Sequence, residues 1–146
     1  MNECLHFLRM RFEHIHNRFF SSHTGAYSIL TAREFDDSQL TLTDDEFQLA
    51  NYFFGGRIHS GPVRFDPDGA LKEFRLYPTG KQIGLNLIYP KPEREELRLY
   101  LSKRRGFKPR AGDIWFLFER EAELFLGSML AIEWNRHFGT ISNTQA

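Results

Sequence analysis

The segment from Asn86 to Arg98 mixes amide, cationic and acidic side chains within a short span. Arginine and lysine can donate to O6 and N7 of guanine, asparagine can bind adenine, and glutamate can accept from the amino group of cytosine. Side chains used only for phosphate contacts would not include the acids, so the mixture indicates direct reading of base pairs. The candidate residues here are Asn86, Tyr89, Lys91, Arg94, Glu96 and Arg98.

A second polar segment runs from Asn17 to Tyr27 and carries several hydroxyl groups. Its tract Ser21 to Gly25 is small, polar and closed by glycine, which is typical of a turn. Hydroxyl groups are suited to phosphate contacts. A solvated loop held by salt bridges remains the alternative for either segment. The candidates in this one are Arg18, Ser21, Ser22, His23, Thr24 and Tyr27.

The loop from Lys103 to Arg110 holds five cations in eight positions, so it must face solvent or a polyanion. Lys103 and Arg104 are therefore further candidates for contacts to a nucleic acid. The net charge of the chain is zero and by itself gives no support to a nucleic-acid partner. Its distribution is uneven, because residues 57–110 carry thirteen Lys or Arg against six acids, which favours a local basic surface.

Catalytic patterns are weak throughout the sequence. The paired carboxylates each have a structural explanation as a loop, a helix start or a turn, and no glycine-rich phosphate loop or nucleophile motif occurs. His14 and His16 would share one face of a strand, with His6 or His23 as further ligands, but no cysteine or carboxylate pattern supports a metal. We predict no catalytic residue, no metal and no cofactor. The carboxylate pairs are Asp36/Asp37, Asp44/Asp45 and Asp66/Asp68.

Strands are the elements that must position these side chains. Leu97, Leu99 and Leu101 alternate with polar residues, and the apolar run Ile114 to Phe118 predicts a core strand buried on both faces. A third strand from Leu124 should pair back on it.

The N-terminal half predicts two helices and two strands. A short helix is expected from Asn2 to Met10, a strand over Phe12 to Phe19 and another from Tyr27 to Ile29. Residues 36–38 are expected to form a loop. Thr43 and Glu46 form a capping box that should start a helix running to Phe54.

The middle of the chain predicts a hairpin and one further strand. Residues 57–65 and 71–77 would pair around the turn at 66–69, and a strand over 83–89 would lead into the proline-bearing connection 90–96. Together these segments predict a mainly β domain of about seven or eight strands and two short helices. Because no alternating βαβ pattern occurs, the sequence favours a small barrel.

Length and composition predict one soluble domain over residues 1–146, with residues 139–146 frayed. The lone Cys4 cannot form an internal disulfide, and no apolar stretch is long enough to span a bilayer. We therefore expect a cytoplasmic protein without a membrane partner.

The chain resembles the B3-like DNA-binding pseudobarrel of plant transcription factors and of the recognition or effector domains of restriction endonucleases. The resemblance covers roughly residues 5–129. Its first arm is similar to HIHNRFFSSHTGAY, its second arm to IGLNLIYPKPEREELRLYL, and its core strand to AGDIWFLF.

The resemblance implies a sequence-specific module that binds double-stranded DNA, with the two arms entering one major groove from either side. The first arm (residues 17–27) would contribute Arg18, Ser22, His23 and Thr24, and the second arm (residues 86–98) Lys91, Arg94, Glu96 and Arg98. Such a module does no chemistry, so cleavage would need a separate nuclease catalytic domain.

Two alternatives stay open. One is a pseudobarrel that binds RNA or a modified or flipped base in a pocket lined by aromatic residues such as Tyr27, Phe54 or Trp115. The other is a small metal-dependent hydrolase that uses His14, His16 and carboxylates.

Overall fold

The computed structural model describes residues 9–42, 44–102 and 106–140. Most of the predicted helix over residues 2–10 lies outside these ranges, and so do Thr43 and residues 141–146 of the predicted frayed end. The elements are β1 Arg9–Arg11, α1 His14–Phe20, β2 Thr24–Ile29, α2 Ala32–Asp37, β3 Gln39–Leu42, α3 Asp44–Phe54, β4 His59–Ser60, a 3₁₀ turn Val63–Phe65, α4 Pro67–Ala70, β5 Leu71–Leu76, β6 Lys81–Tyr89, β7 Leu97–Tyr100, β8 Ile114–Arg120, β9 Glu123–Met129 and α5 Ala131–Phe138.

One curled sheet contains all the described strands, in the order β1-β2-β8-β9-β5-β6-β7-β3, with the short β4 beside β6. Neighbours pair antiparallel except β4 with β6 and β5 with β9, which are parallel. Helix α3 follows the edge strand β3 and packs against β1 and β2 at the opposite edge. The helix therefore bridges the open side of the half-barrel.

Strand β8 is buried on both faces, as its unbroken apolar run predicts. Trp115 and Leu117 enter a leucine-rich core inside the curl. Phe116 and Phe118 enter an aromatic core on the other face. The pairing of β9 back onto β8 is also confirmed, with Phe118 opposite Phe125.

The aromatic core is covered by helices α1 and α5. Trp134 of α5 is fully buried, and its ring centroid lies 4.5 Å from that of Tyr27 on β2. Burial of each such ring stabilises the fold by about 1.5–3 kcal/mol. The sequence patterns above do not predict α5, although Trp134 and Phe138 are spaced by one helical turn.

Helix α3 begins with three acids, which favour the positive end of its dipole. Glu46 is buried, and its carboxylate accepts a 2.5 Å hydrogen bond from the hydroxyl of Ser28 on β2. This bond ties the helix to the sheet. The other half of the predicted capping box, Thr43, lies outside the described residues.

The strand predicted over residues 12–19 is wrong, because residues 14–20 form helix α1. Phe12, His16 and Phe20 are all buried and recur every four residues, which is also the period of a helix. A short stretch fits both periods, and packing on the aromatic core decides between them.

The predicted hairpin over residues 57–77 is also wrong. Only His59–Ser60 is a strand in its first half, and it pairs with β6. The side chain of Asp66 accepts from the amide of Gly69 and begins helix α4 rather than a β-turn. The second half is strand β5, as predicted, but its partners are β6 and β9.

The fold is mainly β, a curled half-barrel consistent with the predicted pseudobarrel. Its described residues contain five short helices instead of the two expected. The loop expected at residues 36–38 is largely the end of α2, which starts at a capping box between Thr31 and Glu34. None of the helices in the described ranges has both the length and the hydropathy needed to cross a bilayer.

Candidate nucleic-acid interface

Strand directions divide the half-barrel into two ends. Strands β2, β5, β7 and β9 begin at one end, where β1, β3, β4, β6 and β8 finish. We call this the arm end, because it receives the turn before β2 and the connection between β6 and β7. The opposite end, where β7 finishes and β8 begins, is the loop end.

A groove of about 480 Å³ opens at the arm end beside the first arm, and we call it the His23 groove. Phe12, Gly25 and Leu49 supply apolar surface, and Tyr52 of α3 lies at its side with 79% of its surface exposed. The polar and charged residues that line it are Arg11, His23, Thr24, Asp45, Gln48 and Glu119.

The first arm does not project as the sequence predicts. Residues 17–20 belong to helix α1, which ends at Ser21 in the left-handed conformation, and strand β2 starts at Thr24. Ser22 is buried, and its hydroxyl donates to the carbonyl of Glu119 at 2.5 Å. The predicted turn is therefore present, but it is short and anchored to β8, so the first arm does not extend as a projecting loop.

This turn leaves four of the six first-arm candidates in contact with solvent: Arg18, Ser21, His23 and Thr24. Ser22 is wrong as a phosphate contact, because its hydroxyl is occupied inside the fold. Tyr27 is also wrong, because it lies in the aromatic core, where burial, and secondarily the charge of Glu13, raises its pKa to about 12.

A second groove, of about 520 Å³, opens beside the second arm, and we call it the Arg94 groove. Arg94 is exposed at the tip of the connection, where its backbone amide donates to the carbonyl of Lys91 at 2.9 Å. The groove is lined by Thr41, Leu42, Asp44, Phe47, Gln48, Arg94, Glu95 and Glu96.

Arg98 positions Glu96 and does not face solvent freely. Its guanidinium donates to the side-chain oxygen of Gln39 at 2.7 Å and to the carboxylate of Glu96 at 3.2 Å. This network fixes the Glu96 carboxylate at the edge of the Arg94 groove. Arg98 is therefore a support for the site and a poor base contact.

Two other second-arm candidates belong to the sheet. Asn86 lies within β6, half-buried and opposite Leu71 of β5. The ring of Tyr89 packs edge-on against Phe47 of α3, with centroids 6.3 Å apart, and partial burial together with the charge of Glu95 raises its pKa. Neither side chain extends into solvent as an arm would require.

The two grooves share a border. Gln48, exposed on helix α3, lines both the His23 groove and the Arg94 groove. Residues of neighbouring faces of α3 therefore line the two grooves, so both arms adjoin one helix at the same end of the molecule.

The described part of the basic loop lies at the loop end, away from both arms. Lys108 and Arg110 border a third groove, with Phe35 and Ser38, where β3 begins. Strand β3 has four residues, about 10 Å at roughly 3.3 Å per residue, and separates this groove from the Arg94 groove. Lys103 and Arg104 lie outside the described residues.

The arm end contains residues that sequence reasoning missed. Gln48 and Tyr52 are exposed one helical turn apart on α3, and Arg11 ends β1. The signal was available, since the buried stripe of α3 implies an opposite exposed face. What the sequence cannot supply is the position of that face between the two arms.

The strand face expected to hold both His14 and His16 does not form, because these residues lie on a helix, where residues two apart do not face each other. His16 is buried among aromatic rings, and its Nδ1 accepts from the amide of Glu13 at 2.9 Å. Within the described ranges, no three His, Cys, Asp or Glu side chains lie close enough to share a metal ion.

The aromatic residues expected to line a base pocket belong to the cores. Tyr27, Phe54 and Trp115 have 6%, 7% and 0% of their surface exposed. Their rings are therefore closed to a ligand in this structure, and the exposed aromatic residue at the arm end is Tyr52.

Comparison of the chain with protein-family models, with curated proteins and with solved structures finds no match. The resemblance to B3-like pseudobarrels therefore stays a prediction.

Proposed function

We propose that this chain is a sequence-specific double-stranded DNA-binding module of the B3-like type, acting as the recognition or effector part of a restriction endonuclease. The observation that carries the proposal is that both arms lie at one end of the half-barrel, beside grooves that meet at Gln48 of helix α3. Two polar segments at the same end of a sheet can contact one stretch of duplex, whose major groove is about 12 Å wide.

The exposed side chains at this end suit the reading of base edges. Arg94 can donate two hydrogen bonds to a guanine, and Glu96, held in place by Arg98, can accept from a cytosine amino group. Gln48, between the arms, can bind an adenine. His23 and Thr24 supply further polar groups in the His23 groove.

Charge limits how this module would bind. The two grooves together are lined by two arginines and five acids, so they do not attract phosphate groups. Phosphate contacts are left to rim residues such as Lys91. With two or three such phosphate contacts, a plot of log affinity against log salt concentration should have a slope of about −2 to −3.

In this proposal the chain is not an enzyme, and a nuclease catalytic domain is its partner in the parent molecule. It works in the cytoplasm. The lone cysteine is compatible with that compartment.

Selection from a pool of random duplexes tests the proposal. We expect enrichment of one short sequence and binding to it at least about a thousandfold tighter than to the starting pool. Selection at low salt that enriches no sequence would refute specific reading. Equal or tighter binding to RNA of the selected sequence would assign the module to another nucleic acid.

A further inference from the structure

Tyr52 is the most exposed large hydrophobic residue in the described ranges, with 79% of its surface accessible. Its neighbours on α3, Phe53 and Phe54, pack on the leucine-rich core. Tyr52 makes no ring contact with any described residue. Among the described residues, the ring is therefore not part of the packed core, and its face lies at the side of the His23 groove.

The chemistry of the His23 groove disfavours phosphate and favours hydrogen-bond donors. Asp45 and Glu119 contribute two carboxylates, against one guanidinium from Arg11. Gln48 adds an amide that can donate and accept. A ligand that suits this set is neutral and flat, and carries an amino group on one edge.

The remaining surface of the groove is apolar and closely packed. Its floor includes Phe12 and Gly25, and a Cβ added at Gly25 would overlap the Phe12 ring and lie 2.8 Å from the Cβ of Phe118. The groove volume of about 480 Å³ is in the range of small-ligand sites.

We propose that the His23 groove binds one unpaired nucleobase that carries an exocyclic amino group, stacked on Tyr52 and read at its amino edge by Asp45, Glu119 or Gln48. Stacking accepts any base, whereas carboxylate acceptors select cytosine, adenine or guanine over thymine. The inference rests on the proposed function, because bound DNA presents the base to the groove.

Titration of the ¹⁵N-labelled full chain with free nucleosides tests the groove without any duplex. Cytidine should shift the backbone amides of Thr24, Gly25 and Gln48, and thymidine, which lacks the amino group, should bind roughly fivefold or more weakly. Tyr52→Ala should weaken cytidine binding roughly 5- to 150-fold, and Tyr52→Phe should retain it.

Asn51→Ala is the matched control, since Asn51 is exposed on the same helix and does not line the groove. Equal binding of cytidine and thymidine, or a Tyr52→Ala protein that binds cytidine as well as the Asn51→Ala protein, would overturn the inference. Because Tyr52 is exposed, its loss should not unfold the chain.

A second measurement separates this inference from the proposed function. A duplex with one bulged cytosine should bind more tightly than the same duplex fully paired, and Tyr52→Ala should remove the difference. Enrichment of a duplex sequence without any preference for the bulge overturns only the base site. Cytidine binding without duplex binding overturns only the proposed function.

Discussion

Replacement of Arg94 by alanine should weaken binding to the selected duplex by roughly 5- to 150-fold. This range corresponds to about 1–3 kcal/mol for a bidentate arginine–guanine contact. In the described ranges the guanidinium of Arg94 makes no hydrogen bond or ion pair, and its backbone amide keeps the bond to Lys91 in the variant. The loss should therefore come from the DNA and not from the fold.

The salt dependence identifies which part of the DNA Arg94 contacts. A base contact leaves the slope of log affinity against log salt unchanged, whereas loss of one phosphate contact reduces it by about 0.9. We expect an unchanged slope for Arg94→Ala, with relaxed preference at one base pair. Lys91→Ala should instead weaken all sequences alike and reduce the slope by about 0.9.

Arg110→Ala is the matched control for Arg94→Ala. Arg110 is exposed at the loop end, and its backbone amide, which the substitution keeps, donates to Asp113 at 2.9 Å. Fluorescence anisotropy with the selected duplex at four salt concentrations measures all three variants. If Arg110→Ala loses as much affinity as Arg94→Ala, or if Arg94→Ala loses none, Arg94 does not make a specific base contact.

Three further predictions concern the supports of the site. Ser22→Ala removes the hydroxyl that donates to β8 and should lower the free energy of unfolding by about 1–2 kcal/mol. Calorimetry should then show a Tm lower by roughly 3–8 °C, and an unchanged Tm would mean that this hydrogen bond does not anchor the turn. Gly25→Ala forces a methyl group into the ring of Phe12 and should lower the free energy of unfolding, measured in urea, by about 1–3 kcal/mol. An unchanged free energy of unfolding would show that the Phe12 ring can move away. Burial lowers the pKa of His16 from 6.5, so stability should be full above pH 6.5 and fall as the pH drops from there towards the lowered pKa. His16→Gln should flatten this dependence in urea unfolding followed against pH, and an unchanged dependence would contradict it.

The sequence predicts the elements whose patterns are long or unambiguous. The apolar run Ile114 to Phe118 fits only a buried strand, and the helix predicted from the capping-box pattern to Phe54 is found as α3. Short segments are different. Residues 12–19 satisfy two periods, and the partner of β5 depends on distant strands that no local pattern identifies.

The candidate site was predicted in outline only. The turn at His23 and the connection at Arg94 are correctly placed as exposed and polar, because turn residues and prolines mark them. The burial of Ser22 and the pairing of Arg98 with Gln39 could not be predicted, because they depend on contacts across the sheet. The separation of the basic loop from the arms could not be predicted either, because it depends on the directions of all the strands.

The proposed function requires DNA to lie at the arm end and not against the basic loop. After Cys4→Ser, a single cysteine introduced as Glu93→Cys at the arm end or Ala111→Cys at the loop end can carry an iron chelate that cuts nearby DNA. Both positions are exposed. We expect cleavage within the selected site from position 93 and none from position 111. Cleavage from position 111 alone would show that DNA lies at the loop end.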